Sequence, residues 1–461
     1  MNTAIGRRVV VPAVHGKHVG KLGHTSRLCT YDFLVLLIPL SGFLEVTLIG
    51  RLFVPDMVML ALFPILVLSM RHKLAAPLMR RMLLFGMIWL LGQVVTDVIR
   101  QTPFHDYSRG WAKIVFTIID FCVIYLLIDN RPRRIFLYAA GLAGSGILGF
   151  YLYPRGFALG HPWKFGIGAP VTLLIVLLAV WANHRRDQRL PLVLIALIGL
   201  FNIYMSFRSL GGLCLLTFIV LLVQRRVLRK NNYRAPNCIR FRTAIFLCVV
   251  LGGGAYLTLA VYEKAVLSGM LGEEALLKYR MQSGSYGILL GGRAELLVSS
   301  RAIMDSPIIG HGSWAKNRYY AELLFVLKHQ LGYEVHGGPM SDLIPTHSHL
   351  MGAWVEAGIL GPGFWVASLV LSWRALLLLL RTKNRLAPLL VFFAALLIWD
   401  ILFSPYGAQR RFISTYYVVA MIAFLTSVTK LKKDKQRHES FDRHHFLQSR
   451  KISEAVYSLD R

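Results

Sequence analysis

Long apolar stretches separated by short polar segments make up most of the chain between residues 32 and 429. Stretches such as FLVLLIPLSGFLEVTLIG, LVLIALIGLFNIYM and LLVFFAALLIWDILF approach the ~20 residues that an α-helix needs to cross a bilayer. A peptide backbone in lipid must satisfy its own hydrogen bonds, so each such stretch has to be helical. The pattern therefore predicts an all-α polytopic membrane protein.

The apolar stretches predict about twelve transmembrane helices. Their predicted positions are residues 32–50, 54–70, 82–99, 112–128, 135–153, 166–182, 190–206, 210–223, 243–261, 348–372, 386–403 and 412–429. The chain then divides into a basic cytoplasmic tail (1–30), transmembrane helices 1–9 (31–261), a long loop (262–347), transmembrane helices 10–12 (348–429) and a second cytoplasmic tail (430–461).

The loop at 262–347 differs from the other connections because it is long and mixes charged, aromatic and turn-forming residues. Loops longer than ~15 residues without regular structure are usually functional. The stretch GGRAELLVSSRAIMD (291–305) predicts a short helix within this loop. We expect the whole segment to form a small extracytoplasmic loop subdomain.

The formal net charge of +29 raises the question of a nucleic-acid partner. Most of the 52 Lys and Arg residues, but few of the 23 Asp and Glu residues, lie in the tails and in alternate loops. This one-sided distribution is the positive-inside pattern of membrane proteins, and it predicts that both tails are cytoplasmic. The charge therefore indicates topology, and no nucleic-acid partner is expected.

The stretch PTHSHLMGAWVEAGILG (345–361) places two histidines at the start of the tenth predicted span. Ser348 is suited to cap the helix, which leaves His347 outside it and free to face the loop. His349 and Glu356 are seven residues apart and share a helix face. An ionisable residue such as Glu356 within a span is costly and usually has a partner or a role. These residues alone leave a functional and a structural interpretation open.

The same stretch carries the pattern H-S-x-x-[apolar]-x(4)-E-x-G-x-x-G and resembles the signature of the O-antigen ligase and polysaccharide polymerase family. Two further segments are similar to motifs of that family: SFRSLGGL (206–213), with Arg208, and GGRAELLVSSRAIMDSPIIGHG (291–312), with Arg293. The resemblance covers roughly residues 190–425. The chain departs from the family pattern beside two of these motif residues, at Phe207, Ser209 and Ser348.

The resemblance implies a glycosyltransferase-C-like helical fold and a metal-independent inverting transfer of a glycan from polyprenyl (undecaprenyl) diphosphate to an acceptor hydroxyl. The form of the 345–361 stretch favours a polysaccharide or O-antigen polymerase, in which the acceptor is a second lipid-linked glycan. The alternative is an O-antigen ligase, in which the acceptor is lipid A core. The resemblance also implies a bacterial cytoplasmic (inner) membrane and an active site that faces the periplasm. No cofactor is expected; membrane lipids and polysaccharide export or chain-length proteins are the further partners.

The resemblance also implies roles for individual residues. Arg208 and Arg293 match the arginines that bind the diphosphate, and Arg301, on the same predicted helix as Arg293, is a third candidate. Arginine suits this task because its planar guanidinium binds phosphate oxygens in pairs. His347 is the expected catalytic base, since imidazole accepts a proton near neutral pH. The expected supporting residues are Glu356, Ser348 and His349.

Two alternatives remain for these residues and for the chain. His347, His349 and Asp342 could in principle bind zinc, although the chain has no D-x-D, E-x-D or E-x-E motif and we predict no metal. A lipid-linked glycan flippase or transporter accounts for the number of spans, but it predicts polar residues concentrated at mid-span. The other charged residues in or beside the spans are expected to anchor, pack or cap helices: Asp97, Asp120, Asp400, Arg410 and Arg411. For Arg410 and Arg411, at the outer entry to the last span, binding of lipid phosphate is the alternative.

Overall fold

The computed structural model describes residues 29–47, 50–154, 156–184, 189–230, 260–270, 272–282, 293–330, 341–407 and 409–430, with the single positions 245, 249, 252, 253, 256, 434 and 436. Nearly all of both predicted tails lies outside the described residues. So does most of the ninth predicted span (243–261).

The described chain is almost entirely helical. Its helices are α1 (Thr30–Leu40), α2 (Val54–Leu74), α3 (Pro77–Arg100), α4 (Phe104–Ile128), α5 (Pro132–Leu152), α6 (Gly156–Gly160), α7 (Gly168–His184), α8 (Leu190–Tyr204), α9 (Arg208–Lys230), α10 (260–267), α11 (Glu273–Gln282), α12 (Ala294–Asp305), α13 (Arg318–Gln330), α14 (His349–Ala357), α15 (Gly363–Leu379), α16 (Ala387–Phe403) and α17 (Arg410–Lys430). Two short strands, β1 (Glu45–Thr47) and β2 (Arg51–Phe53), pair antiparallel, with Glu45 opposite Phe53.

Seven of the described helices are long and apolar enough to cross a membrane: α2, α3, α4, α5, α7 with the turn before it (Trp163–His184), α9 and α17. Four shorter apolar helices, α1, α8, α15 and α16, pack with them. The chain is thus an all-α protein with the helices of a membrane-embedded fold, and the count of twelve spans stays a prediction.

Two predicted spans are wrong as continuous helices. The first (32–50) ends early, because α1 stops at Leu40, after Pro39, and the chain continues into β1. The tenth (348–372) is two helices, α14 and α15, with a break that begins at Gly358. Gly358 has φ +61°, and a Cβ there would collide with the carbonyl oxygen of Ile308. The apolar pattern continues through both breaks, so it gives no sign of either.

The main core lies between the long helices, and α17 is the most buried of the seven that are long enough to span a membrane. Large side chains such as Trp89, Trp365 and Tyr416 are completely buried within it. The Nε2 atom of Gln224, near the end of α9, donates to the carbonyl oxygens of Leu379 (2.7 Å) and Thr382 (3.0 Å), just before α16. The two helices, which pack together, therefore run antiparallel, and the start of α9 lies at the same end of the bundle as the end of α16.

A second, small core joins the helices of the 262–347 segment to the bundle. Val298 and Ala302 of α12 pack with Tyr320 of α13, with Ile344 and with Val355 of α14. The predicted helix at 291–305 is confirmed from Ala294 to Asp305. This packing fixes α12 beside α14; that the segment is an extracytoplasmic subdomain stays a prediction.

Candidate functional site

The start of α14 determines where His347 lies. The Ser348 Oγ atom accepts a hydrogen bond from the Met351 backbone N (3.1 Å), so the predicted N-cap is confirmed. The same hydroxyl donates to the carbonyl oxygen of Ile401 on α16 (2.7 Å). His347 therefore precedes the helix at a fixed point beside the end of α16, and it remains exposed.

Arg293 lies at the N-cap position of α12 and reaches the end of α16. Its guanidinium carbon is 5.1 Å from the ring centroid of Trp399 and 5.4 Å from that of Phe403. Its Nη1 atom donates to the carbonyl oxygen of Phe403 at 3.5 Å. Cation–π contacts of this kind hold a guanidinium flat against an aromatic surface and orient its donors.

Four charged side chains act electrostatically on His347: Arg293, Glu295, Lys328 and Arg410. We call these five residues the His347 cluster. The Lys328 Nζ atom is 3.2 Å from Glu295 Oε1, and Arg410 forms an ion pair with Asp400 of α16. The cluster draws on α12, α13, the turn before α14 and the start of α17. Together with Asp400 it holds three permanent cations and two carboxylates, so a net positive charge favours an additional anion beside the histidine.

The environment of His347 keeps its imidazole neutral. Burial of the ring is the largest cause that lowers its pKa, and the cations Arg293, Lys328 and Arg410 act in the same direction, while Glu295 opposes them. The residue nevertheless remains accessible to solvent. A neutral, accessible imidazole can accept a proton at neutral pH.

Glu295 stays ionised within the cluster. Burial acts to raise its pKa, but hydrogen bonding to its own backbone and the charge of Lys328 together hold the pKa below the usual value. Its carboxylate thus supplies a permanent negative charge that partly offsets the three cations.

Arg208, the other matched arginine, lies at the start of α9. Its guanidinium carbon is 4.5 Å from the ring centroid of Tyr262. Because α9 and α16 run antiparallel, Arg208 lies at the same end of the bundle as Phe403 and Arg293. Arg301 has a different position: it pairs with Asp305 at 3.2 Å on an exposed face of α12 and, among the described contacts, does not join the His347 cluster.

His349 is a buried structural residue. Its Nδ1 atom lies 2.7 Å from the carbonyl oxygen of Ser404, and its Nε2 atom lies 3.1 Å from Ser414 Oγ. The ring is completely buried and contacts Trp365, 4.8 Å away between centroids. Both ring nitrogens are engaged, so this geometry does not support the zinc alternative with His347. Among the described residues, no group of three His, Cys, Asp or Glu side chains is arranged to hold a metal.

Glu356 lies near the end of α14 and forms an ion pair with Lys113 of α4. This contact joins the short helix to a long apolar helix and supplies the partner that a carboxylate in this position requires. The Glu356 carboxylate is thus engaged by Lys113, and the ion pair ties α14 to α4.

The turn after α12 (306–312) is hydrogen-bonded to the chain at the break after α14. Its backbone N–H groups at His311 and Gly312 donate to the carbonyl oxygens of Val355 (2.7 Å) and Glu356 (3.1 Å). In return, Ile359 N donates to Ile308 O at 3.1 Å. Two of the three segments that resemble family motifs are therefore in direct contact, which sets the position of Arg293 relative to His347.

Asp97 of α3 anchors this turn to the bundle. Its carboxylate accepts hydrogen bonds from the Ser313 backbone N and hydroxyl, both at 2.6 Å, and from the Trp111 indole at 2.8 Å. Beside it, Arg100 donates through Nε to the carbonyl oxygen of Gly310 at 2.9 Å. The expected packing role of Asp97 is confirmed, with partners that are distant in sequence.

Three members of the His347 cluster were missed as site residues. Glu295 could have been found, because it lies two residues after Arg293 in the segment 291–312 that resembles a family motif. Arg410 was expected to anchor a helix or to bind lipid phosphate. Lys328 had no signal, because it comes from α13, whose sequence matches no motif.

Comparisons with protein-family models, curated proteins and solved structures find no match for this chain. The chemistry of the site therefore rests on its own residues: a neutral histidine that can take a proton, set beside cations that can hold an anion.

Proposed function

We propose that the chain is a glycosyltransferase that moves a glycan from polyprenyl diphosphate to an acceptor hydroxyl at the His347 cluster. The observation that supports this best is the convergence of one neutral histidine with Arg293, Lys328 and Arg410 at the end of an apolar helix bundle. A diphosphate joined to a prenyl chain needs both features, cations for its head and apolar helices for its tail.

The reaction follows from the chemistry of these groups. The acceptor oxygen attacks the anomeric carbon as His347 removes its proton, and the bond between that carbon and the diphosphate oxygen breaks. Attack from the face opposite the leaving group inverts the anomeric configuration. The diphosphate leaves with additional negative charge, which Arg293 and its neighbouring cations stabilise.

The identity of the acceptor distinguishes two enzymes that catalyse the same type of transfer. A second lipid-linked glycan makes the chain a polysaccharide or O-antigen polymerase, the form we favour, and lipid A core makes it an O-antigen ligase. In both cases we place the site at the periplasmic face of a bacterial inner membrane, where both substrates are expected.

The test uses purified protein in lipid with a polyprenyl-diphosphate-linked repeat unit. Ladders of longer lipid-linked glycan support a polymerase, and a product formed only after lipid A core is added supports a ligase. His347→Ala should lower transfer by roughly 10²–10⁴-fold, the usual range for general acid–base catalysis. His329→Ala, at an exposed histidine near the end of α13, is the matched control and should retain activity.

One outcome of this assay would overturn the proposal. If folded protein binds the donor but forms no product with either acceptor, the proposal is wrong and the flippase or transporter alternative takes its place.

A further inference from the structure

A second polar cluster lies inside the bundle, away from the His347 cluster. Asp56 of α2 and Asp120 of α4 are 0% exposed, and Arg411 of α17 is 6% exposed. Arg411 Nη2 donates to Asp56 Oδ2 at 2.5 Å, and this oxygen also accepts from the Phe53 backbone N at 3.0 Å. One oxygen of Asp56 is thus fully engaged.

The other carboxylate oxygens of this cluster have no partner. Asp56 Oδ1, both oxygens of Asp120 and the hydroxyl of Tyr138 are buried without a hydrogen bond. The nearby Tyr406 hydroxyl lies 2.5 Å from Thr117 Oγ1, with which it pairs. A fully buried carboxylate with no donor is very costly in a low-dielectric interior.

Asp120 lies close to the Asp56–Arg411 ion pair, because the guanidinium carbon of Arg411 is 5.6 Å from the ring centroid of Phe116, one helical turn before Asp120 on the same face of α4. Two carboxylates beside one guanidinium leave one excess negative charge among the apolar helices. A single added proton makes the group neutral and supplies the missing O–H donor between Asp120 and Asp56 Oδ1. Paired carboxyls elsewhere hold a proton for the same reason, because two like charges at this distance cannot both persist.

We propose that Asp56 and Asp120 share one proton and form a buried proton-binding site, with Arg411 as the balancing charge. This inference goes beyond the proposed function and does not depend on it. The other titratable side chains near the pair are the thiol of Cys122 on α4 and the phenol of Tyr138 on α5, groups that are ordinarily uncharged at neutral pH. Arg411 is therefore the one permanent charge among the described neighbours named here.

A proton fits this site better than a metal ion. Hard cations take about six to eight oxygen ligands, whereas the free groups here are three carboxylate oxygens and the Tyr138 hydroxyl. The guanidinium of Arg411 also occupies the side of Asp56 that a second cation would approach. A proton needs only the two facing oxygens.

Infrared spectroscopy tests the inference, because a protonated carboxyl has a carbonyl stretch that an ionised one lacks. Spectra of wild-type protein in lipid at neutral pH are compared with those of Asp120→Asn and Asp56→Asn. We expect a protonated-carboxyl band in the wild type that is absent from both variants, since a single remaining carboxyl pairs with Arg411 in its ionised form. Addition of Na⁺ should leave the wild-type band unchanged.

The matched control is Asp106→Asn, which removes a carboxylate that pairs with Lys316 at 2.7 Å. Its spectrum should keep the wild-type band. The inference is overturned if the wild type has no such band at neutral pH, or if Na⁺ abolishes the band, which would make the pair a metal-ion site. Both of these outcomes are read from the wild-type spectrum, so they overturn the inference whether or not a variant folds.

Discussion

His347 and His349 are two residues apart, yet their surroundings are opposite. The N-cap at Ser348 turns His349 into α14, where Ser404 and Ser414 engage both of its ring nitrogens. His347 precedes the cap and remains open to solvent among charged side chains. A single cap therefore separates a structural histidine from one that can react.

The charged side chains around His347 affect its pKa and should therefore affect the pH dependence of transfer. As a base, the residue works only when neutral, so kcat/KM should rise with pH and level off above its pKa, which lies below the usual ~6.5. Lys328→Met removes a cation that disfavours the imidazolium, so the inflection should move to higher pH. Glu295→Gln removes the opposing anion and should move the inflection to lower pH.

Profiles of kcat/KM against pH for the wild type and the two variants provide the measurement. Shifts of both variants in the same direction would mean that these charges do not act on the catalytic base, and His347 would lose that role.

Donor binding should depend on the planar shape of the Arg293 guanidinium as well as on its charge. Arg293→Lys keeps a cation but loses the planar fork and its stacking on Trp399 and Phe403. We expect the KM for the donor to rise about tenfold, which corresponds to about 1.4 kcal/mol. Arg301→Lys is the matched control, because Arg301 pairs with Asp305 on an exposed face of the same helix. An equal effect of both variants would mean that the planar guanidinium of Arg293 has no special role in donor binding.

At the scale of elements, hydrogen bonds at the break after α14 join the segment that carries Arg293 (291–312) to the segment that carries His347 (345–361). Gly358→Ala should disrupt this junction, since φ is +61° and a Cβ would meet the Ile308 carbonyl. We expect a loss of about 1–3 kcal/mol in the free energy of unfolding from the strained backbone. Thermal unfolding of the purified protein measures it.

Gly352→Ala on α14 is the control for this prediction. A Cβ there finds its nearest neighbour, Thr346 Oγ1, at 3.4 Å, and alanine favours a helix over glycine. Equal stability of the Gly358→Ala and wild-type proteins would show that the junction tolerates a side chain and is not strained.

Local signals predicted local structure well. Ser348 as a cap and the helix from Ala294 to Asp305 could be predicted because both depend on neighbouring residues. The break at Gly358 could not, since the apolar pattern is continuous across it and its cause, Ile308, comes from another segment. Lys328 was missed for the same reason: only the packing of α12 against α13 brings it to Glu295.

At the scale of the molecule, the two polar clusters differ in access. The His347 cluster is open and lies at the end of the bundle where α16 ends and α9 begins. The Asp56–Asp120 pair is closed on all sides by apolar helices. An open cluster suits exchange of substrates and products, whereas a closed pair can hold only something as small as a proton.

One site is proposed to bind the diphosphate through Arg293 and to transfer the glycan through His347. Donor binding and transfer should therefore be measured separately in lipid for the wild type, His347→Ala and Arg293→Ala. We expect His347→Ala to bind the donor as tightly as the wild type but to transfer little, whereas Arg293→Ala should lose binding first. A folded His347→Ala protein that transfers glycan at the wild-type rate would contradict this proposal.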